Sequence, residues 1–209
     1  TFSKVVIDRE SRLQEIANLK KDAPHLKVLL SIGGWGSGRF SEMAADEQCR
    51  LSFARDCRRV VDQFGLDGID IDWEYPTSRA AGISASDADT ENYTLLMRNI
   101  REAIGSGKLL TLASAANAKY IDFKAIDPYI DFVNIMTYDM NRPPYHHSAL
   151  YRSPRVGNRS CEESVEAHLQ QGIPASKLVL GAPFYGHAAP PMSDFIDYRD
   201  IVKLEGYEA

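Results

Sequence analysis

The stretch "GLDGIDIDWEYP" (residues 65–76) carries four acids within eight residues, Asp67, Asp70, Asp72 and Glu74. Side chains alternate between the two faces of a strand. The last three acids therefore share one face, while Ile69, Ile71 and Trp73 share the other. Asp67 falls out of phase and reads as a residue that satisfies backbone groups at the strand's start. Three adjacent carboxylates repel one another, so an interior strand that keeps them needs a chemical use for them. Crowded interior carboxylates cannot all ionise; they share protons and titrate as a group. One carboxyl can then stay protonated near neutral pH, as a general acid must. Glu74, nearest the C-terminal end, reads as that acid, with Asp72 and Asp70 as the charge reservoir behind it.

The surroundings make this strand an interior one. Other strand-length apolar runs stand at residues 26–35, 109–116, 131–140 and 177–186. Helical patterns lie between most of them. Ser11 is expected to cap a helix carrying Leu13, Ile16 and Leu19. Asp46 should cap a longer helix with Phe53, Cys57, Val60 and Phe64 on one face and Gly65 as its stop. Tyr93, Leu96, Met97, Ile100 and Ile104 form a third face, stopped by Gly105. Ser160 and Glu163 make a capping box before Val165 and Leu169, with Gly172 at the end.

Strands alternating with helices over short connections predict parallel βαβ units. The row of acids selects a (β/α)8 barrel over an open doubly wound sheet, because barrel strands point alternate residues into a core whose top layer opens into a site. The class expected is therefore α/β, a TIM-type barrel.

Composition is that of an ordinary globular chain: 209 residues, 44% hydrophobic, 25% charged, net charge −5. Mild acidity argues against nucleic acid as the main partner, and no apolar run reaches membrane-span length. Cys49 and Cys57 fall on one helix about 12 Å apart, too far for a disulfide. With Cys161 they read as small buried side chains. His146 and His147 have no third ligand at a metal-site spacing and read as a loop feature. Neither a metal nor another cofactor is expected.

Several motifs in order carry a resemblance. "DGIDIDWE" resembles the D-x-x-D-x-D-x-E motif of glycoside hydrolase family 18, the chitinase family. "SIGGW" (31–35) is similar to its third-strand motif, "MTYD" (136–139) to its sixth and "GAPFYGH" (181–187) to its seventh. "HHSALY" (146–151) resembles a loop common in these enzymes. The resemblance implies a retaining hydrolase of β-1,4-linked N-acetylglucosamine in which the substrate's own acetamide oxygen replaces a protein nucleophile. It makes Glu74 the acid and later base, Asp72 the residue that orients the acetamide N–H, and Asp70 the residue that tunes it. Tyr138 would hydrogen-bond the acetamide oxygen, and Asp139 would shape the same subsite. Met136 shares a strand face with Tyr138. Trp35, past two glycines, is a stacking platform for a sugar, and Tyr185 a contact on the leaving-group side. His187 stands where many relatives carry arginine, which would alter the response of binding to pH.

Two other functions fit the same motifs: an endo-β-N-acetylglucosaminidase acting on N-glycan cores, and a non-catalytic chitin-binding lectin. The retained Glu74, Asp72 and Tyr138 weigh against the lectin. An insoluble polymer substrate implies a secreted, periplasmic or cell-surface protein. Only about 25 residues precede "SIGGW", too few for two strands and a helix, and the eighth strand with its tryptophan is absent. The chain is thus expected to hold about five of eight barrel strands. Residues 1–188 would be the central part of the barrel. Residues 189–209 would begin a small α+β insertion or the helix after strand seven.

Overall fold

The structure is a computed structural model that describes residues 3–192 and 194–204. Five strands form one parallel sheet: β1 (Leu29–Gly33), β2 (Gly68–Asp72), β3 (Leu109–Ala115), β4 (Phe132–Met136) and β5 (Leu178–Leu180). Their order in space is their order in the chain. A doubly wound sheet reverses direction at a switch point, whereas this one keeps turning the same way. It is an arc of a barrel, as the acidic strand implied.

Among the described residues, one helix precedes the sheet, five lie in the connections between its strands and one lies in the C-terminal region. They are α1 (Glu10–Asn18), α2 (Phe40–Ala45), α3 (Glu47–Phe64), α4 (Asp89–Ile104), α5 (Phe123–Ile126), α6 (Cys161–Gln170) and α7 (Tyr198–Ile201). Among the described residues no helix is long and apolar enough to cross a membrane. Asp46 caps α3 by accepting from the Cys49 N–H at 2.7 Å, and Gly65 closes it in the left-handed conformation. The α3 and α4 faces expected from periodicity are the buried ones. Between them they cover Ile69, Ile71 and Trp73, which are at most 2% exposed. Trp73 stacks on Phe40 and meets Tyr93 edge-on, each at 5.4 Å between ring centres. All three cysteines are free; Cys57 and Cys161 are buried, and Cys49 is partly so.

Three local expectations are corrected. Helix α1 starts at Glu10, so Ser11 lies inside it and caps nothing. Its buried residues are Leu13 and Ala17, while Ile16 and Leu19 are exposed. In α6 the capping box forms as expected, yet the buried face is Cys161, Ser164 and His168, and Leu169 is exposed. The apolar run at 177–186 is not one strand. It breaks at Gly181–Pro183, and its second half is β6 (Tyr185–His187), paired antiparallel with β7 (Phe195–Asp197). The domain boundary drawn after residue 188 falls inside this hairpin.

Close backbone approach fixes the acidic strand. Gly33 ends β1 at φ +131°, and a Cβ there would lie 1.9 Å from the Asp72 carbonyl oxygen. That same oxygen accepts the Gly34 N–H at 2.8 Å. Gly33→Ala is therefore expected to cost about 1–3 kcal/mol through overpacking, seen as a drop in melting midpoint of roughly 2–4 °C per kcal/mol. An unchanged midpoint would mean that the backbone here yields freely, contrary to this account.

Candidate active site

Asp67 does what its phase implied: it accepts the Val28 N–H at 2.8 Å and the Lys20 ammonium at 2.9 Å, tying β2 to the chain before β1. The remaining acids form a gradient along β2 and the turn beyond it. Asp70 is the most constrained. Ser31, Thr111 and Asn134 donate to it at 2.7, 2.5 and 3.1 Å, from β1, β3 and β4 respectively. Those donors fix the carboxyl in place beneath its neighbours.

Asp72 is placed differently. Its Oδ1 is buried and has no hydrogen-bond partner among the described residues. Burial first, then the charges of Glu74 and Asp70, push its carboxyl up to about 7. A carboxyl short of partners and close to neutrality is unusual, because buried polar groups nearly always find one. Glu74 lies past the end of β2, on the turn that leaves the strand, and the peptide joining it to Tyr75 is cis. Burial raises its carboxyl as well, with the Asp139 charge adding to the effect and a Tyr75 hydrogen bond opposing it. Of the crowded acids, Asp72 thus takes the largest upward shift that the structure resolves, and Glu74 a second one.

These groups open into a cavity of about 740 Å³ whose walls include Trp35, Asp72, Glu74, Met136, Tyr138 and Asp139. Trp35 is 64% exposed and presents its ring to solvent. It meets Tyr75 edge-on, and Tyr75 stacks on Tyr120 at 5.1 Å, so an aromatic row runs along one rim. Tyr138 comes from the turn after β4. A Cβ on Gly181 would lie 2.6 Å from the Tyr138 ring, so that glycine is what lets the ring settle against β5. Burial, followed by the Asp72 and Glu74 charges, raises the Tyr138 phenol, which therefore stays a proton donor.

Asp139 is held by one strand, β6. Burial alone would raise it, but hydrogen bonds from His187 at 2.6 Å and Tyr185 at 2.8 Å keep its carboxyl below the usual range. Tyr185 thus stands behind Asp139, its hydroxyl spent on that carboxylate. Asp70 likewise sits below the cavity floor. Five of the sequence-derived residues, Asp72, Glu74, Trp35, Met136 and Tyr138, meet directly at the cavity, and Asp139 completes its wall. Sequence reasoning missed Tyr75, Tyr120 and Arg142, which also line it. Tyr75 sits directly beside the acid in sequence, but strict alternation assigns it to the opposite face.

A parallel sheet wound in one direction, with carboxylates at its carboxyl ends, fits a barrel hydrolase. The chain belongs to glycosyl hydrolases family 18, whose model matches residues 2–204. It is 37% identical over 198 residues to chitinase A1 of Niallia circulans, covering 83% of this chain and 28% of that protein. Against chitotriosidase-1 of Mus musculus the identity is 34% over 209 residues, covering 90% of this chain and 44% of the other. Among solved structures, the chitinase domain of the spore coat protein CotE from Clostridium difficile superimposes with a TM-score of 0.90 at 34% identity. That match covers 98% of this chain and 63% of that one. A family 18 N-acetylglucosaminidase from Paenibacillus barengoltzii matches with a TM-score of 0.82 at 37% identity, covering 88% and 58%. The chain spans less than half the length of these curated relatives.

Proposed function

We propose that this chain carries the acid–base and acetamide-positioning part of a retaining hydrolase acting on β-1,4-linked N-acetylglucosamine, as in chitin. The observation that carries the reading is Asp72 Oδ1, buried and partnerless in a cavity that also holds Glu74 and Tyr138. A substrate N–H would supply what that oxygen lacks, and a substrate carbonyl would take the Tyr138 proton. The 2-acetamido group offers both, one on each side of its amide.

In the first step the acetamide oxygen attacks the anomeric carbon as the glycosidic C–O bond breaks. Glu74 gives its proton to the departing oxygen. Asp72, accepting the acetamide N–H, stabilises the positive charge that spreads over the oxazolinium ring, with Asp70 holding the field beneath it. In the second step ionised Glu74 takes a proton from water, whose oxygen attacks the anomeric carbon and reopens the ring. Two displacements at one carbon retain its configuration. Asp72 and Glu74 lie two residues apart, at the end of β2 and on the turn that leaves it, an arrangement that suits this scheme better than two carboxylates flanking the sugar. Trp35 would stack on a sugar face, Met136 and Asp139 would shape the acetamide subsite, and Tyr185 would act through Asp139. An insoluble polymer substrate makes the protein one that works outside the cytoplasm.

Incubation with chitotetraose, followed by mass spectrometry, tests the reading. Release of chitobiose is expected, with no cleavage of the fully deacetylated glucosamine tetramer, which lacks the internal nucleophile. Cleavage of both oligomers alike would reject acetamide participation. Cleavage confined to N-glycan cores would favour the endo-β-N-acetylglucosaminidase, and chitin binding without product would favour the lectin.

A further inference from the structure

Asp139, His147 and His187 come from three separate segments: the turn after β4, the loop that follows it and the end of β6. Asp139 Oδ1, His147 Nδ1 and His187 Nε2 all lie within 4.8 Å of one another. His187 Nε2 is 2.6 Å from the Asp139 oxygen and His147 Nδ1 is 3.7 Å from it. The two imidazoles meet edge to face, 4.9 Å between centres.

Both histidines are already held as ligands are held. His147 Nδ1 faces Asp139 and accepts its N–H at 3.3 Å, a long bond that an ion on Nδ1 would displace. The ring's other hydrogen bond is to the backbone of Tyr185. On His187 the outer nitrogen, Nδ1, lies 2.8 Å from Asp194 Oδ1. A carboxylate on the far nitrogen is the usual device for fixing the tautomer of a metal-bound histidine. Arg142 also reaches this corner, its Nη1 2.5 Å from Nδ1, 3.1 Å from Nε2 and 3.2 Å from both Asp194 oxygens. A guanidinium only donates, so Nδ1 accepts from Arg142 as the site stands; an ion on Nε2 moves the ring proton to Nδ1, which then turns to Asp194, and Arg142 balances that carboxylate's charge.

We propose that Asp139, His147 and His187 form a binding site for a divalent transition-metal ion of the zinc type, which replaces the proton between His187 Nε2 and Asp139 Oδ1. Two imidazoles and one carboxylate suit zinc, copper or nickel, whereas magnesium and calcium take oxygen ligands. A tetrahedral shell with bonds of ~2.0–2.2 Å sets its donor atoms ~3.3 Å apart. The Asp139–His187 pair must open slightly from 2.6 Å and the Asp139–His147 pair close slightly from 3.7 Å. The Asp139 side chain is 43% exposed and lines the cavity, which gives room for that shift and a path for the ion. Sequence spacing gives the His146–His147 pair no third ligand; the fold brings two to His147 from distant positions.

The site stands apart from the hydrolase reading, because its test is binding itself. Zn²⁺ is titrated by calorimetry into chelator-stripped protein near neutral pH, in buffers of different ionisation enthalpy, with Mg²⁺ as the control. The expected result is saturable Zn²⁺ binding with proton release, no heat from Mg²⁺, and loss of saturable binding in His147→Ala and His187→Asn. Asp194→Asn, outside the ligand set, should weaken binding ~10–100-fold. Circular dichroism checks each variant's fold, and Asp194→Asn carries the test if a ligand variant does not fold. Absence of saturable Zn²⁺ binding, or unchanged affinity in Asp194→Asn and His147→Ala, would overturn the proposal.

Discussion

Glu74→Gln is expected to slow chitotetraose cleavage by about 10²–10⁴-fold, the usual contribution of a positioned general acid, while sugar affinity is kept. The amide matches the carboxyl in shape and still offers hydrogen bonds, so the cavity walls and the Tyr75 contact need not change. What it lacks is an ionisable proton. The glycosidic oxygen would leave as an alkoxide in the first step, and no carboxylate would take the water proton in the second. The loss should therefore appear in kcat, with KM little altered. The upward shift of Glu74 has the sign this role needs, because burial and the Asp139 charge both favour the protonated form. If the variant turns over at the parent rate, another group supplies the proton and the assignment to Glu74 is wrong.

Much of this site was legible in the sequence because its central element obeys one period. Alternation from Ile69 to Trp73 separates the acids from the apolar residues, and the structure keeps that separation to Asp72 before the strand ends. Caps were legible too, where a side chain accepts from a backbone N–H three residues on, as Asp46 and Ser160 do. Polarity misleads where partners are distant. His168 is fully buried because Ser114 and the Ser164 carbonyl satisfy its two nitrogens at 2.9 and 2.7 Å. A hydrophobic pattern instead nominates Leu169, which lies in solvent. Similarly, β6 exists only because β7 pairs with it, and nothing within "GAPFYGH" announces a partner that begins eight residues further on. The Asp139–His187 contact spans 48 residues for the same reason.

Asp72→Asn separates the catalytic use of that carboxyl from its effect on stability. On the proposed mechanism the variant loses the charge that would face the oxazolinium ring, and a fall in kcat of about 10²–10³-fold is expected, comparable to removing one preorganised electrostatic partner. Stability should move the other way. The folded-state carboxyl is raised from 3.8 to about 7, so folding favours its protonated form. That contribution is fully present below the unfolded value and is lost as pH rises through the folded one. The parent chain should thus lose melting temperature between about pH 4 and about pH 7, as the proton leaves and a partnerless anion is stranded between Asp70 and Glu74. The amide has no proton to lose, so the variant's melting curve should be flatter over that window and its midpoint higher at the upper end. Thermal melts of both proteins across the window decide the matter. Parallel profiles would mean that Asp72 does not carry the shared proton, and the proton-sharing account of the acidic row would fall with it. A variant more stable near neutrality yet nearly inactive would show an active site that keeps a costly charge for its chemistry.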